Sequence, residues 1–291
     1  MRVLTYTNPS GTTLTLSQTP YLITKLSGID APRLAVQEKF APYQDGSTYI
    51  DALFQPRDIV VEGAISGSPV DLTDIATARR ALVAALTPKS GIGTLTYTWD
   101  GGSFAIAAIP VSSPVLPNKL ATEPFQRFQI TFHCPDPYWR SVAATNLSVV
   151  YLGYSLEFPA GGIEFVPGGI LLSELGGIKG QMQNITIVGD VPSPVTLVFY
   201  GPADNPKITN NTTGEYIRIE KTLATGEAIT VTTDFGNKTV TIGGVNAMQY
   251  LDLSSIFFLL QPGINQLQFD EDGTNVGSSA AITYYDRYIG A

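Results

Sequence analysis

The chain holds one histidine and one cysteine in 291 residues, and the two are neighbours, His133 and Cys134. A single cysteine forms no intramolecular disulfide. The pair builds no zinc site either, because no second His or Cys completes the ligand set. Adjacent residues of a strand also point to opposite faces, so these two side chains cannot converge on one atom. With its one histidine on a polar strand face, the chain offers no good candidate for a Ser-His-Asp triad. No Walker-type phosphate loop occurs. Tryptophan is scarce as well: Trp99 and Trp139 both lie in the first half. Charged residues make up only 14%, and with 17 basic against 25 acidic the net charge is −8, a surface that repels nucleic acid instead of gripping it. The longest tight apolar run, Ile256 to Leu260, is far too short to span a bilayer. The opening MRVLTYTNPSG has no apolar core of a secretory signal, which points to a protein assembled in a cytoplasm.

What is present describes a folded, turn-rich chain. The hydrophobic fraction is 44%, with 28 glycines and 20 prolines, a composition typical of all-β proteins. The length suits two domains. Charge divides unevenly: residues 1–150 hold 11 basic and 11 acidic residues, while residues 151–291 hold 6 and 14. The second half therefore carries the whole negative excess.

Periodicity of two dominates. Leu4 and Tyr6 face Leu14 and Leu16 across the turn Asn8-Pro9-Ser10-Gly11, a predicted hairpin. Ile59, Val61 and Ile65 alternate with Asp58, Glu62 and Ala64. Leu95, Tyr97 and Trp99 alternate with Thr94, Thr96 and Thr98. Phe104, Ile106 and Ala108 then follow the turn Asp100-Gly101-Gly102, where glycine permits positive φ. Arg127 to Cys134 is the clearest strand: Phe128, Ile130, Phe132 and Cys134 share one face. It ends at Pro135-Asp136-Pro137, since proline supplies no ladder N–H. One stretch switches period. From Leu72 to Leu86, the residues Leu72, Ile75, Leu82, Val83 and Leu86 recur at helical spacing, with Asp71 placed to cap the first turn and Pro88 and Gly91 to end it.

Residues 159–180 are rich in glycine and small apolar residues. The predicted organisation is therefore a first domain over 1–150, a connector or arm over 151–180, and a second domain over 181–291. The second domain shows short strands: Val195, Leu197 and Phe199; Ile217 and Ile219; Ile229 and Val231 joined to Val240 and Ile242 through Asp234–Asn237; Leu267 and Phe269; Ile282 and Tyr284. Strands at this spacing, with no helical stretch, suggest a β-sandwich. The turn from Asp270 to Asn275 begins like an EF-hand loop, but its twelfth position is Ala281, where a bidentate Glu is needed, so it reads as an acidic turn. Tyr216, Tyr250, Tyr284 and Tyr285 are the residues on which a sugar ring could stack in this half, which has no Trp. No pair of carboxylates stands out for glycoside hydrolysis. Neither a cofactor nor a catalytic or metal-ligating set is expected.

The exit of the clearest strand, Phe132-His133-Cys134-Pro135-Asp136-Pro137-Tyr138-Trp139, resembles a motif of siphophage distal tail proteins, roughly F-x-C-x-D-P-Y-W, at the end of their N-terminal domain. Leu72–Leu86 followed by Thr87-Pro88-Lys89-Ser90-Gly91 and the strand to Tyr97 is similar to that family's helix, turn and strand. Residues 192–220 and the sequence Pro262-Gly263-Ile264-Asn265 with Leu267 and Phe269 resemble its C-terminal sandwich. The resemblance implies a mainly β protein: an N-terminal, tail-tube-like β belt with one α-helix, then a galectin-like or jelly-roll sandwich. It implies a non-enzymatic virion protein at the tail tip, a homohexameric ring joining the tail tube protein to the tail-associated hub protein. Receptor-binding or accessory tail proteins would sit outside, and viral DNA would pass through the channel without specific binding. Asp136, Pro137, Tyr138 and Trp139 become the candidate structural or interface motif. Of these, the aromatics Tyr138 and Trp139 either anchor a ring or interdomain contact or cap their own domain's core. A different reading of the same chain is a carbohydrate-binding or host-adhesion module of a phage baseplate or related injection machine.

Overall fold

A computed structural model of the chain describes residues 2–66, 72–117, 125–150, 182–273, 275 and 277–291. It divides into two compact units, Met1–Val142 together with Arg287–Ala291, and Ala143–Asp286. Among the described residues no helix is long and apolar enough to cross a membrane.

The first unit is built on antiparallel strands: β1 (Val3–Thr7), β2 (Thr13–Thr15), β3 (Tyr21–Ser27), β4 (Leu34–Lys39), β5 (Thr48–Phe54), β6 (Arg57–Ser66), β7 (Gly93–Trp99), β8 (Gly102–Pro110), β9 (Phe125–Cys134) and β10 (Trp139–Ser141), with helix α1 (Leu72–Ala85) between β6 and β7. The main sheet runs β2-β1-β7-β8-β9-β6-β3, and β10 pairs with β8. The first hairpin closes as expected, Tyr6 opposite Leu14. Strict alternation places Ile59, Val61 and Ile65 of β6 and Phe128, Ile130 and Phe132 of β9 inward. The sheet curls so that both of its halves line one core: the rings of Tyr6 and Phe132 lie 5.0 Å apart. α1 covers this core with Ala78, Leu82, Ala85 and the following Leu86. Val83, placed by spacing on the apolar face, is instead exposed. It sits about 100° round from Leu82, and the small Ala78 and Ala85 take the inward positions that let the helix approach closely. Asp71 lies outside the described residues. Trp99 is exposed too, because its strand has run past the core into the turn, where the indole lies over Gly101. Among the described strands β4 and β5 pair only with each other, as a separate two-stranded arm.

The second unit contains β11 (Thr145–Val150), β12 (Met182–Ile187), β13 (Val195–Tyr200), β14 (Ala203–Asp204), β15 (Lys207–Asn210), β16 (Glu215–Arg218), β17 (Thr222–Leu223), β18 (Ala228–Thr232), β19 (Thr239–Ile242), β20 (Val245–Asn246), β21 (Gly263–Asp270) and β22 (Ser279–Tyr284). A six-stranded sheet, β11-β22-β13-β18-β19-β20, and a four-stranded sheet, β12-β21-β15-β16, share one core. Phe199 and Phe269 meet across it with centroids 6.2 Å apart. This is the expected sandwich. Several of its buried polar side chains hold one another or the backbone. Asn265 accepts from Gln261 N and donates to Gln261 O, and Asn210 donates to Asn265 Oδ1. The Thr233 hydroxyl bonds both backbone groups of Val195. Thr145–Val150, which sequence reading assigns to the end of the first domain, pairs along its whole length with β22 and belongs to this unit. The 151–180 connector lies outside the described residues. The chain passes between the units twice, and its last five residues return to the first.

Candidate functional site

β9 delivers the Asp-Pro-Tyr-Trp motif to one end of the first unit. Trp139 is fully buried there. Its indole packs against Tyr97 and its Nε1–H donates to the carbonyl of Ile29, 3.2 Å away. Tyr138 sets its ring edge-on to Phe54, the last residue of β5 and so the base of the arm. Pro137 is half-buried and brings no N–H that would need a partner. Asp136 is half-exposed, and its carboxylate accepts from Arg287 at 2.7 and 2.6 Å. The Arg287 guanidinium also stacks on Tyr138, 4.5 Å from the ring centre. The motif thus holds the C-terminal segment: Tyr288 pairs with Trp139 in backbone register and packs its ring on Phe104.

Arg57 completes the knot. It is 3% exposed, and burial pulls its pKa down, with Cys134, Asp136 and Asp30 acting the other way. Its guanidinium donates to the carbonyls of Gly28, Ile29 and Asp30 at 3.3, 3.1 and 2.8 Å, and to that of Ile289. One side chain therefore ties the turn that leads into the arm to the C-terminal segment. Gly28 makes the turn possible: its φ is +88°, and a Cβ there would lie 2.2 Å from the Asp58 carbonyl oxygen. Sequence reading finds the motif but misses Arg57, Arg287 and the C-terminal segment. A lone Arg beginning a β-strand has no local signature of burial.

The residues singled out for chemistry are placed apart. His133 Nδ1 lies 2.8 Å from Asp58 Oδ1 on the outer face of the sheet. Cys134 is buried, and desolvation pushes its thiol up to about 12, so it is a neutral packing group. In the acidic turn, Glu271 accepts from the backbone of Asp204 and Asn275, while Asp272 accepts from Arg218 and Asn205. These carboxylates serve the turn itself. Among the described residues no group of three or more His, Cys, Asp or Glu is arranged to hold a metal. Of the tyrosines weighed for sugar stacking, Tyr284 is buried, Tyr216 lies under Lys207 and bonds Asp252, and Tyr250 faces Lys221.

What the first unit leaves open is surface. The arm exposes Leu34, Val36, Phe40, Tyr43, Tyr49, Ile50 and Leu53. A groove of about 900 Å³ crosses β3, β6 and β9, lined by Leu22, Ala64, Val115, Phe125, Arg127 and Phe128 among others. A protruding apolar ribbon and an apolar groove are features of surfaces that bind partners.

Comparison with known proteins agrees. Residues 10–134 match the family model described as phage tail protein RIFT-related domain. Residues 188–288 match the one described as siphovirus-type tail component, C-terminal domain. The chain belongs to the siphophage distal tail protein family. Its fold matches that of the Dit protein (gp 19.1) of phage SPP1 over 99% of both chains, with a TM-score of 0.69 at 12% identity. It also matches a chain of the phage P2 baseplate in its activated, Ca-containing conformation over all of both chains, with a TM-score of 0.53 at 11% identity. No curated protein matches it. As a distal tail protein, the chain is a structural component of the phage tail and baseplate, and Asp136–Trp139 sits inside its first unit, where it binds the C-terminal segment.

Proposed function

We propose that this distal tail protein forms a hexameric ring at the tail tip, joining the tail tube to the hub and to the receptor-binding apparatus, and that it works by shape without catalysis. The observation that carries the reading is the end-to-end match of both units to SPP1 Dit, described as a paradigm of the hub adsorption apparatus in phages infecting Gram-positive hosts. The division of labour follows the surfaces. The first domain, neutral in sequence and bearing the apolar arm, makes the ring. The acidic sandwich stands in water, where it carries accessory or receptor-binding proteins. A self-associating β protein also hides sheet edges that would otherwise invite aggregation. DNA crosses the pore without specific binding, since the 11 basic residues of the first domain are matched by 11 acidic ones and leave no basic excess to grip it. Light scattering together with negative-stain microscopy of the purified chain tests this. The expected result is a particle of six times the 31.1 kDa protomer mass with a central hole. A single compact protomer at every concentration and in the presence of tail tube rings is the result that rejects it.

A further inference from the structure

The arm and the groove are two unmatched apolar surfaces on one chain. Among the described strands β4 and β5 pair only with each other; Leu34, Val36, Ile50 and, at 63%, Tyr49 are exposed on them, and Phe40 at 74% and Tyr43 fully in the loop that joins them. A two-stranded ribbon is marginal by itself in water. Seven large apolar side chains on such a ribbon need cover. Cover of this kind is what a specific interface between chains supplies. The groove is the concave counterpart. Gly63 at its floor has no Cβ, because one would collide with the Phe128 ring at 2.4 Å. Leu22, Val115 and Phe125 stay exposed on its walls.

We propose that the arm of one copy seats in the β3-β6-β9 groove of the next, head to tail. This rests on the ring reading above and names the contact that closes the ring. A protrusion and a cavity on different faces of one chain make a heterologous contact, which repeats around an axis and closes when the rotation permits. Charge agrees: between residues 34 and 54 the arm carries Glu38, Asp45 and Asp51 against Lys39 alone, and the groove presents the exposed Arg127, while its one acidic lining residue, Glu62, is already paired with Lys25 at 3.1 Å. The arm is also braced for docking. Ser47 donates to Glu38 at 2.6 Å and Gln44 to Thr48 at 3.1 Å near its tip, while Tyr138 and Arg57 hold its base, so little ordering is lost on binding.

Introduced thiols test this in the full chain, because the native Cys134 is buried. Ile50→Cys on the arm and Val115→Cys in the groove, co-expressed and treated with a short bis-maleimide, should cross-link one to the other. Neither variant alone should cross-link. Ile50→Asp, at an exposed position, should keep the wild-type circular dichroism and drop the light-scattering mass from six protomers to one. Rings that persist in Ile50→Asp, with no arm-to-groove product, overturn the inference and leave the ring reading standing. The same holds if rings persist and only binding to tail tube rings is lost, since the arm then serves a different partner. A wild-type chain that neither associates nor cross-links removes both.

Discussion

In the sandwich unit, sheets of six and four strands cover each other around an apolar core, and its buried polar side chains are neutral, Asn210, Asn265 and Thr233 among them held by hydrogen bonds within the unit. In the first unit one curled sheet and a 14-residue helix enclose a core of similar size, but two buried arginines are needed around it: Arg57 satisfies loop carbonyls and Arg287 clamps the Asp136 carboxylate. One unit is finished when its own strands have paired. The other depends on its C-terminal segment to close one end, and still holds an apolar arm out in water. A domain that stands alone needs no exposed apolar ribbon. One that packs against copies of itself does.

The contrast can be broken experimentally, and the largest effect belongs to Trp139→Ala. Removing a wholly buried indole should cost about 3–5 kcal/mol and act on the first unit alone. Cys134 is the readout: its protected thiol should react with Ellman's reagent at lower urea in Trp139→Ala, and at unchanged urea in Phe199→Ala of the sandwich. Equal effects of both variants would mean that the units unfold as one.

Next is Arg57→Ala, which removes a buried donor from the carbonyls of Gly28, Asp30 and Ile289 and should cost roughly 2–4 kcal/mol by urea denaturation. Arg57→Lys should recover little, since an ammonium cannot reproduce the planar fork. Arg287→Ala should cost less, about 1–2 kcal/mol, because its partner Asp136 is half-exposed and screened by water. Hydrogen exchange should show faster amides at Tyr288–Ala291 in this variant while the sandwich stays unchanged.

The smallest effect is a pH difference confined to the sandwich. The Lys221 ammonium, then the Ala224 backbone N–H, hold the Glu227 carboxyl below its ordinary value. A folded-state value that is lowered gives stability that is present above the unfolded pKa and is lost as pH falls through the folded one. Urea midpoints of the sandwich should therefore drop on acidification below the ordinary carboxylate range, and Glu227→Gln should flatten that drop. The first unit's midpoint should respond identically with and without the substitution.

Much of both cores was legible because strand alternation is a local property. Phe128, Ile130 and Phe132 announce their shared face within six residues, and so do Val195, Leu197 and Phe199. The arm was not legible for the complementary reason. From Leu34 to Phe54 apolar residues fall on both faces of both strands, so no face is marked as inward, and β3 is blurred by a register shift between Ile23 and Lys25. The motif at Asp136–Trp139 was visible, but what it grips was not.

By itself, the amino-acid sequence determined which side chains seek cover, where the chain turns and where the helix after β6 runs, since alternation, proline and glycine act over a few residues. Tertiary structure alone decided that Arg287 meets Asp136 across 151 residues, that Thr145–Val150 joins the sandwich and that the arm finds no cover within its own sheet. Those outcomes depend on which distant surfaces fit once loops have closed, and nothing in a local pattern encodes that fit.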